Sequence, residues 1–286
     1  MKRILSLAAA ATLAAGAPAQ SDLDNYILTV ERLDGQGTDS ILTVRYFDGL
    51  GRPEHTVIGG TGPDSSYLHS RNTYDALDRL TEEWLPVPLG TTDRPDMQTF
   101  KGMSLTQYSD SCSRTIVCHD GQGRPLETRR PGSAWQDRPQ LAAYSTNAAD
   151  EVKRYAVEDG EPVMKGFYPP GTLTLAVSTD EDGKTTAIYQ DLTGSVILER
   201  KAGNLDTYRV YDELGRLRFV LPPMYQDDPD TDAYAFRYTY DDEGRIATRK
   251  LPGCEPEHYW YDSADRVIRM QDGELAAGGA EPHLRL

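Results

Sequence analysis

One phrase recurs along the chain and limits what it can fold into: an aromatic residue, Asp, two variable residues, Gly, Arg, and then an apolar residue or Pro. It is complete at Phe47-Asp48-Gly49-Leu50-Gly51-Arg52-Pro53, at Tyr211-Asp212-Glu213-Leu214-Gly215-Arg216-Leu217 and at Tyr240-Asp241-Asp242-Glu243-Gly244-Arg245-Ile246. Variants run from Tyr74 to Leu80, from His119 to Pro125 and from Tyr261 to Val267, with a degenerate copy from Gln190 to Val196. The chemistry is that of a hairpin connection. The carboxylates of Asp48, Asp75, Asp120, Asp191, Asp212, Asp241 and Asp262 can accept backbone N–H groups two or three residues on, which starts a type I turn. Gly51, Gly123, Gly194, Gly215 and Gly244 supply the positive φ at which a short loop rejoins its strand. Asp78 and Asp265 take that place in two variants, and Asp is one of the few side chains that tolerate the left-handed region. Arg52, Arg79, Arg124, Arg216, Arg245 and Arg266 follow, each able to pair with its Asp or lie over an aromatic face.

The segments on either side alternate as strands do, as in Thr207-Tyr208-Arg209-Val210-Tyr211 before a turn and Leu217-Arg218-Phe219-Val220-Leu221 after it. An all-β chain of repeated hairpins is expected, with turns at the seven Asp residues. A further tip at Asp180-Glu181-Asp182-Gly183 joins strands over 173–178 and 185–189. The stretch Gln140–Tyr155 has helix-like alanines, but Asn147 in its middle favours a turn followed by a strand over about 151–157.

Residues 1–19 read as an export signal, with Lys2 and Arg3 ahead of an apolar, Ala-rich run and Ala17-Pro18-Ala19 as the cleavage site. No window approaches the ~18 apolar residues of a membrane span. The formal net charge of −15, lower still without Lys2 and Arg3, argues against nucleic-acid partners. The expected location is outside the cytoplasm: secreted, periplasmic or on the cell surface.

The repeated phrases resemble the YD repeats of the bacterial Rhs (rearrangement hotspot) proteins and the related teneurins. The exported Rhs-like subgroup with an N-terminal domain of unknown function is the nearer likeness. Its phrases are matched by Tyr46 to Pro53, Tyr74-Asp75 and Trp84-Leu85-Pro86-Val87-Pro88. Further on come Tyr168-Pro169-Pro170-Gly171-Thr172-Leu173, Thr179 to Lys184, and Lys250-Leu251-Pro252-Gly253 ahead of Tyr259-Trp260-Tyr261-Asp262. The resemblance covers about 25–273. It implies an N-terminal domain over 20–135 and a YD-repeat sheet over 136–273. It also implies a sheet that winds spirally as part of a β-shell, and a role in enclosing or presenting a downstream polypeptide, including a toxin or effector. Relatives continue into further repeats and a segment rich in Asp-Pro-x-Gly phrases. Here an Ala/Gly tail over 274–286 follows instead, and it reads as disordered. The last strand edge is then expected to recruit a downstream Rhs-like polypeptide or a second copy of the chain.

Signals for catalysis are absent. The five histidines, His55, His69, His119, His258 and His283, are scattered, and no HExxH, GxSxG or phosphate loop occurs. Glu82-Glu83 and Asp241-Asp242 are acid pairs, and the latter has a simpler task in a turn. Cys112, Cys118 and His119 lack the spacing of a zinc site, and a Cys112–Cys118 bridge stays open. The run Asp227-Asp228-Pro229-Asp230-Thr231-Asp232 lacks the Gly and Glu of a calcium loop and reads as a solvated loop. Neither a cofactor nor an enzymatic activity is expected. The competing reading is a glycan- or cell-binding module that exposes tyrosines, Trp84 and Trp135 around a groove.

Overall fold

The computed structural model describes residues 25–33, 40–59, 66–273 and 283–284. The expected export signal lies outside them, as does most of the 274–286 tail. Two compact units form, over 1–141 and 142–286.

The first unit carries β1 (Asn25–Arg32), β2 (Ser40–Phe47), β3 (Pro53–Gly59), β4 (Tyr67–Tyr74), β5 (Leu80–Trp84), β6 (Val87–Leu89), α1 (Met97–Tyr108), β7 (Arg114–His119), β8 (Pro125–Arg129) and the start of β9 (Gln140–Thr146). Every pairing in it is antiparallel, and the strands neighbour one another in the order β1-β2-β3-β4-β5-β7-β8-β9. At Leu85-Pro86 the chain leaves β5, and β6 returns to pair with β4 at His69. Its core is small and mixed. Val44, Tyr46 and Val57 form one apolar cluster, and Trp84, Val87 and Phe100 another. His55, His69, Arg71, Thr92, Ser104 and Ser113 are buried too.

The second unit holds β10 (Lys153–Glu158), β11 (Glu161–Phe167), β12 (Thr174–Thr179), β13 (Thr185–Gln190), β14 (Val196–Lys201), β15 (Leu205–Tyr211), β16 (Leu217–Leu221), α2 (Pro223–Asp227), α3 (Thr231–Tyr234), β17 (Phe236–Tyr240), β18 (Ile246–Lys250), β19 (Glu257–Tyr261), β20 (Val267–Gln271) and β21 (His283–Leu284). From β12 to β21 each strand pairs antiparallel with the next. The separate β10–β11 hairpin is also antiparallel, and Tyr155 and Val157 from it pack against a core of Val152, Leu173, Tyr189, Leu198, Tyr208, Phe219 and Leu221. Asn147 fastens the chain beside it: its Nδ2 donates to the Pro169 carbonyl and its Oδ1 accepts from the Leu173 N–H, both at 2.9 Å. The strand reading of 140–155 holds, since β9 and β10 occupy it on either side of a turn.

Helix α1, the acidic run and the tail depart from the sequence reading. Helix α1 went unrecognised because only Phe100 and Ser104 are buried on it, so no apolar stripe of helical period marks it. The acidic run expected as a loop is bounded by α2 and α3, and the Asp230 carboxylate caps α3 by accepting from the Asp232 and Ala233 N–H groups. Within the stretch read as a disordered tail, His283–Leu284 forms β21 and pairs with β20 at Arg269 and Met270.

All seven expected turns close in the same way. In each, the Asp N–H donates to the carbonyl four residues on, and the N–H of the positive-φ residue donates to the Asp carbonyl, at 2.9–3.2 Å. Gly215 has φ 75° and open space around a hypothetical Cβ. Val at Gly215 therefore meets backbone strain and no clash. Gly215→Val is expected to lower stability by ~1–3 kcal/mol in chemical denaturation, because a β-branched residue is disfavoured at positive φ. An unchanged denaturation midpoint would show that the turn tolerates side chains freely.

Candidate functional site

Because each phrase joins two antiparallel strands, and the strand leaving one phrase pairs antiparallel with the strand entering the next within each unit, the phrases of each unit lie on a single rim. The first unit presents Asp48, Asp75 and Asp120 between β2–β3, β4–β5 and β7–β8. The second presents Asp191, Asp212, Asp241 and Asp262 between β13–β14, β15–β16, β17–β18 and β19–β20. The Asp180 turn, between β12 and β13, falls on the opposite rim.

Within a turn, one carboxylate oxygen works on the backbone and the other on the Arg. Asp48 Oδ1 accepts the Leu50 and Arg52 N–H groups at 2.9 and 3.0 Å, while Oδ2 accepts Arg52 Nε–H at 2.6 Å. The pattern returns at Asp75–Arg79, Asp120–Arg124, Asp212–Arg216 and Asp262–Arg266. Asp241 likewise accepts both the backbone N–H and the Nε–H of Arg245. At Asp191 the backbone half survives, but Ser195 stands where Arg would be. The Arg79 guanidinium and its backbone N–H hold the Asp75 carboxyl down at about 2; the Arg266 N–H and guanidinium do the same for Asp262.

On each strand that leaves these seven turns, one extra residue breaks the register. Phe47 faces Pro53 while Tyr46 faces His55, leaving Glu54 as a bulge. Thr81, Leu126, Ile197, Arg218, Ala247 and Ile268 are left over in the same way. Such bulges sharpen local strand twist. The Asp180 hairpin keeps the turn bonds without a bulge.

Arg52, Arg216 and Arg245 then reach across to the tyrosine of the following repeat, and Arg79 Nη1–H reaches the Asp120 carbonyl at 2.6 Å. Arg52 lies 4.6 Å over the Tyr74 ring, Arg216 lies 5.0 Å over Tyr240 and Arg245 lies 4.9 Å over Tyr261. The tyrosine hydroxyls donate back to the residue after that Arg: Tyr74 to the Pro53 carbonyl at 2.8 Å, Tyr240 to Leu217 at 2.7 Å and Tyr261 to Ile246 at 2.9 Å. Tyr211 reaches Val196 likewise at 3.1 Å. Asp78 and Asp265, read only as residues that endure positive φ, have a second task. Asp78 Oδ1 accepts Arg52 Nη1–H at 2.5 Å, and Asp265 Oδ1 accepts Arg245 Nη1–H at 2.9 Å. That contact spans two repeats, so a phrase read singly does not show it.

Other candidate residues fall into structural roles. Glu82 accepts Arg114 Nε–H at 2.8 Å, and Cys112, Cys118 and Cys254 are unbridged. Trp84, which the competing glycan-binding reading would expose, is buried edge-on to Phe100, and Arg114 covers its ring; Trp135 is 41 % exposed. His55 and His69 are not scattered: β3 and β4 bring them to 2.9 Å. The alternation His55, Val57, Gly59 against His69, Arg71 was the available signal, once the hairpin register was known.

A family of domains of unknown function, DUF6443, matches residues 25–147. No curated protein matches the chain. Among solved structures, TcdB2-TccC3 without its hypervariable C-terminal region is similar over 86 % of this chain, with a TM-score of 0.57 and 15 % identity. This chain spans only 12 % of that one. A second structure, of TcdB2-TccC3, is 12 % identical over 81 % of this chain and 16 % of its own, with a TM-score of 0.27. The first likeness establishes a shared β-rich fold.

Removing one rung tests the lateral contacts. Tyr240→Phe loses a hydroxyl bond to Leu217 and is expected to cost ~0.5–1.5 kcal/mol in urea unfolding. Asp78→Gly relieves positive φ but loses Arg52, so its unfolding midpoint should stay near that of the parent. The depressed carboxyls carry a pH signature. A folded pKa below the unfolded 3.8 gives stability that is present above pH 3.8 and lost as pH falls through about 2. Asp75→Asn should flatten part of that acid limb in a melting series from pH 4 to pH 2.

Proposed function

We propose that this chain is a non-enzymatic segment of an exported YD-repeat shell or surface fibre of the Rhs type, which encloses or presents another polypeptide. The observation that carries the reading is the rung between repeats: Arg52, Arg216 and Arg245, with the carbonyl after each, receive the next tyrosine, so the rim is built to be extended. The fold shared with a much longer chain supports it, as does the placement of the repeated polar residues in turns and rungs. The end of β20 next to the Arg266 turn, at Val267 and Ile268 and outside the two residues that β21 pairs with, is the place of association with a downstream polypeptide or a second copy. Arg266 there is 77 % exposed, whereas Arg52, Arg79, Arg216 and Arg245 are 23–30 % exposed. Among the described residues no helix is long and apolar enough to cross a membrane. Burial of Trp84 weighs against the glycan-binding alternative.

Co-expression with the polypeptide encoded downstream tests the role. Co-purification, with that polypeptide becoming resistant to added protease, is the expected result. Retention on immobilised glycans without such protection would overturn it. Arg245→Ala should lower the melting temperature of the chain itself, whereas Arg266→Ala should leave it unchanged and weaken the association. Equal effects of both substitutions on melting would show that Arg266 already belongs to a closed rung.

A further inference from the structure

The first unit buries a pair of histidines that no turn or rung uses. His55 on β3 and His69 on β4 are 1 % and 0 % exposed, and His55 Nε2 lies 2.9 Å from His69 Nδ1. His69 Nε2 lies 2.8 Å from the Thr91 carbonyl. A carbonyl only accepts, so His69 carries its proton on Nε2, its Nδ1 must accept, and His55 Nε2–H is the donor. The neutral tautomers of both rings are thereby assigned. His55 Nδ1 is left as a buried lone pair with no partner among the described residues.

The same region ties the 91–95 segment, and through it α1, to the sheet. Arg71 Nη1–H donates to the Pro95 carbonyl at 2.9 Å and the Tyr46 hydroxyl to Thr92 at 3.3 Å. Asp96 caps α1, and Phe100 from that helix packs edge-on to His55 at 5.8 Å. The charged groups around the pair come from every side: Glu54 on β3, Arg71 on β4, and Asp93 and Arg94 on the connecting segment. Tyr46 is the titratable neighbour on β2, whereas α1 contributes the apolar Phe100. Glu54 answers both guanidinia, accepting from Arg71 at 2.6 Å and from Arg94 at 3.3 Å.

We propose that the His55–His69 pair is an acid-sensitive latch, which holds the 91–95 segment and α1 on the sheet at neutral pH and releases them in mild acid. A proton has two places to enter the closed form. At His69 Nδ1 it sets two donors against each other and breaks the bond between the rings. At His55 Nδ1 it keeps the bonds but buries a third cation beside Arg71 and Arg94. Both routes are opposed, so the open form takes up the protons. Burial, then His69, Arg71 and Arg94, push His55 down to about 3; burial also lowers His69, against the Thr91 bond and Asp93. A base whose folded pKa is depressed costs nothing above its unfolded value of 6.5, and stability is lost as pH falls from there toward about 3. The turn carboxyls act in a lower window. The latch stands independently of the shell proposal.

Amide exchange of the whole chain between pH 7.5 and 4.5, corrected for the intrinsic exchange rate, tests it. Opening of β3, β4 and α1 should rise about ten-fold per pH unit for each proton taken up, and about a hundred-fold where both histidines titrate. Strands β12–β18 should keep their protection. In the double variant His55→Gln/His69→Gln the dependence should vanish; each amide retains a donor and an acceptor. If that variant does not fold, nitrogen-labelled histidine spectra of the parent decide instead. They should show both rings neutral in the closed form at pH 5. Opening that is flat with pH in the parent, an unchanged slope in the double variant, or a charged ring in the closed form at pH 5 would each overturn the latch.

Discussion

The division of labour between the two oxygens of each turn aspartate is what the rest of the sheet depends on. Oδ1 accepts from the backbone and so fixes the loop, while Oδ2 takes the Nε–H of the Arg four residues on. An exposed ion pair of this kind contributes little by itself. Its consequence is geometric. With Nε held, the guanidinium plane is oriented before any neighbour arrives, and at Arg52, Arg79 and Arg245 it is Nη1 that reaches the neighbouring repeat. The next tyrosine therefore meets a pre-organised cation and an adjacent free carbonyl. A local turn becomes a lateral joint through one side chain.

This explains which parts were legible in the sequence. The turn is an i to i+4 affair, written in consecutive residues, and its Asp, Gly and Arg could be read directly. So could the strand character of 140–155, where Asn147 outweighed the alanines. Asp78 and Asp265 were read half correctly, because tolerance of positive φ is local, whereas their bond to the preceding Arg spans 26 and 20 residues. The bulges were illegible for another reason: a residue such as Thr81 or Ala247 carries no mark of being left unpaired, and only the partner strand reveals it. Helix α1 hid behind its own composition, with two buried positions in twelve and only Asp96 as a starting signal.

The two units put the same turn to use around different interiors. In the second, Tyr189, Leu198, Tyr208, Phe219 and Leu221 form an apolar core, against which the β10–β11 hairpin lies. Tyr155 there is pushed up to about 12 by burial, and its hydroxyl donates to Gln226 at 3.1 Å. Phenols with raised pKa values stay neutral throughout the physiological range, so this interior is indifferent to mild acid. The first unit instead buries two imidazoles and a guanidinium. Buried polar groups are tolerable when each finds a partner, and they become a liability when a change of protonation removes one.

Two kinds of titration are therefore laid over one repeat. The turn carboxylates are stabilised in their charged form by cations and N–H groups placed against them, so they resist acid until well below the ordinary carboxylate range. The histidine pair is stabilised in its neutral form by burial and by neighbouring cations, so it yields earlier. The signs are opposite because burial opposes the imidazolium first of all, and because a guanidinium favours a nearby carboxylate and disfavours a nearby imidazolium. Arginine thus helps make the rim of this fold acid-resistant, and beside the buried His55 it adds to the burial that makes one interior acid-sensitive.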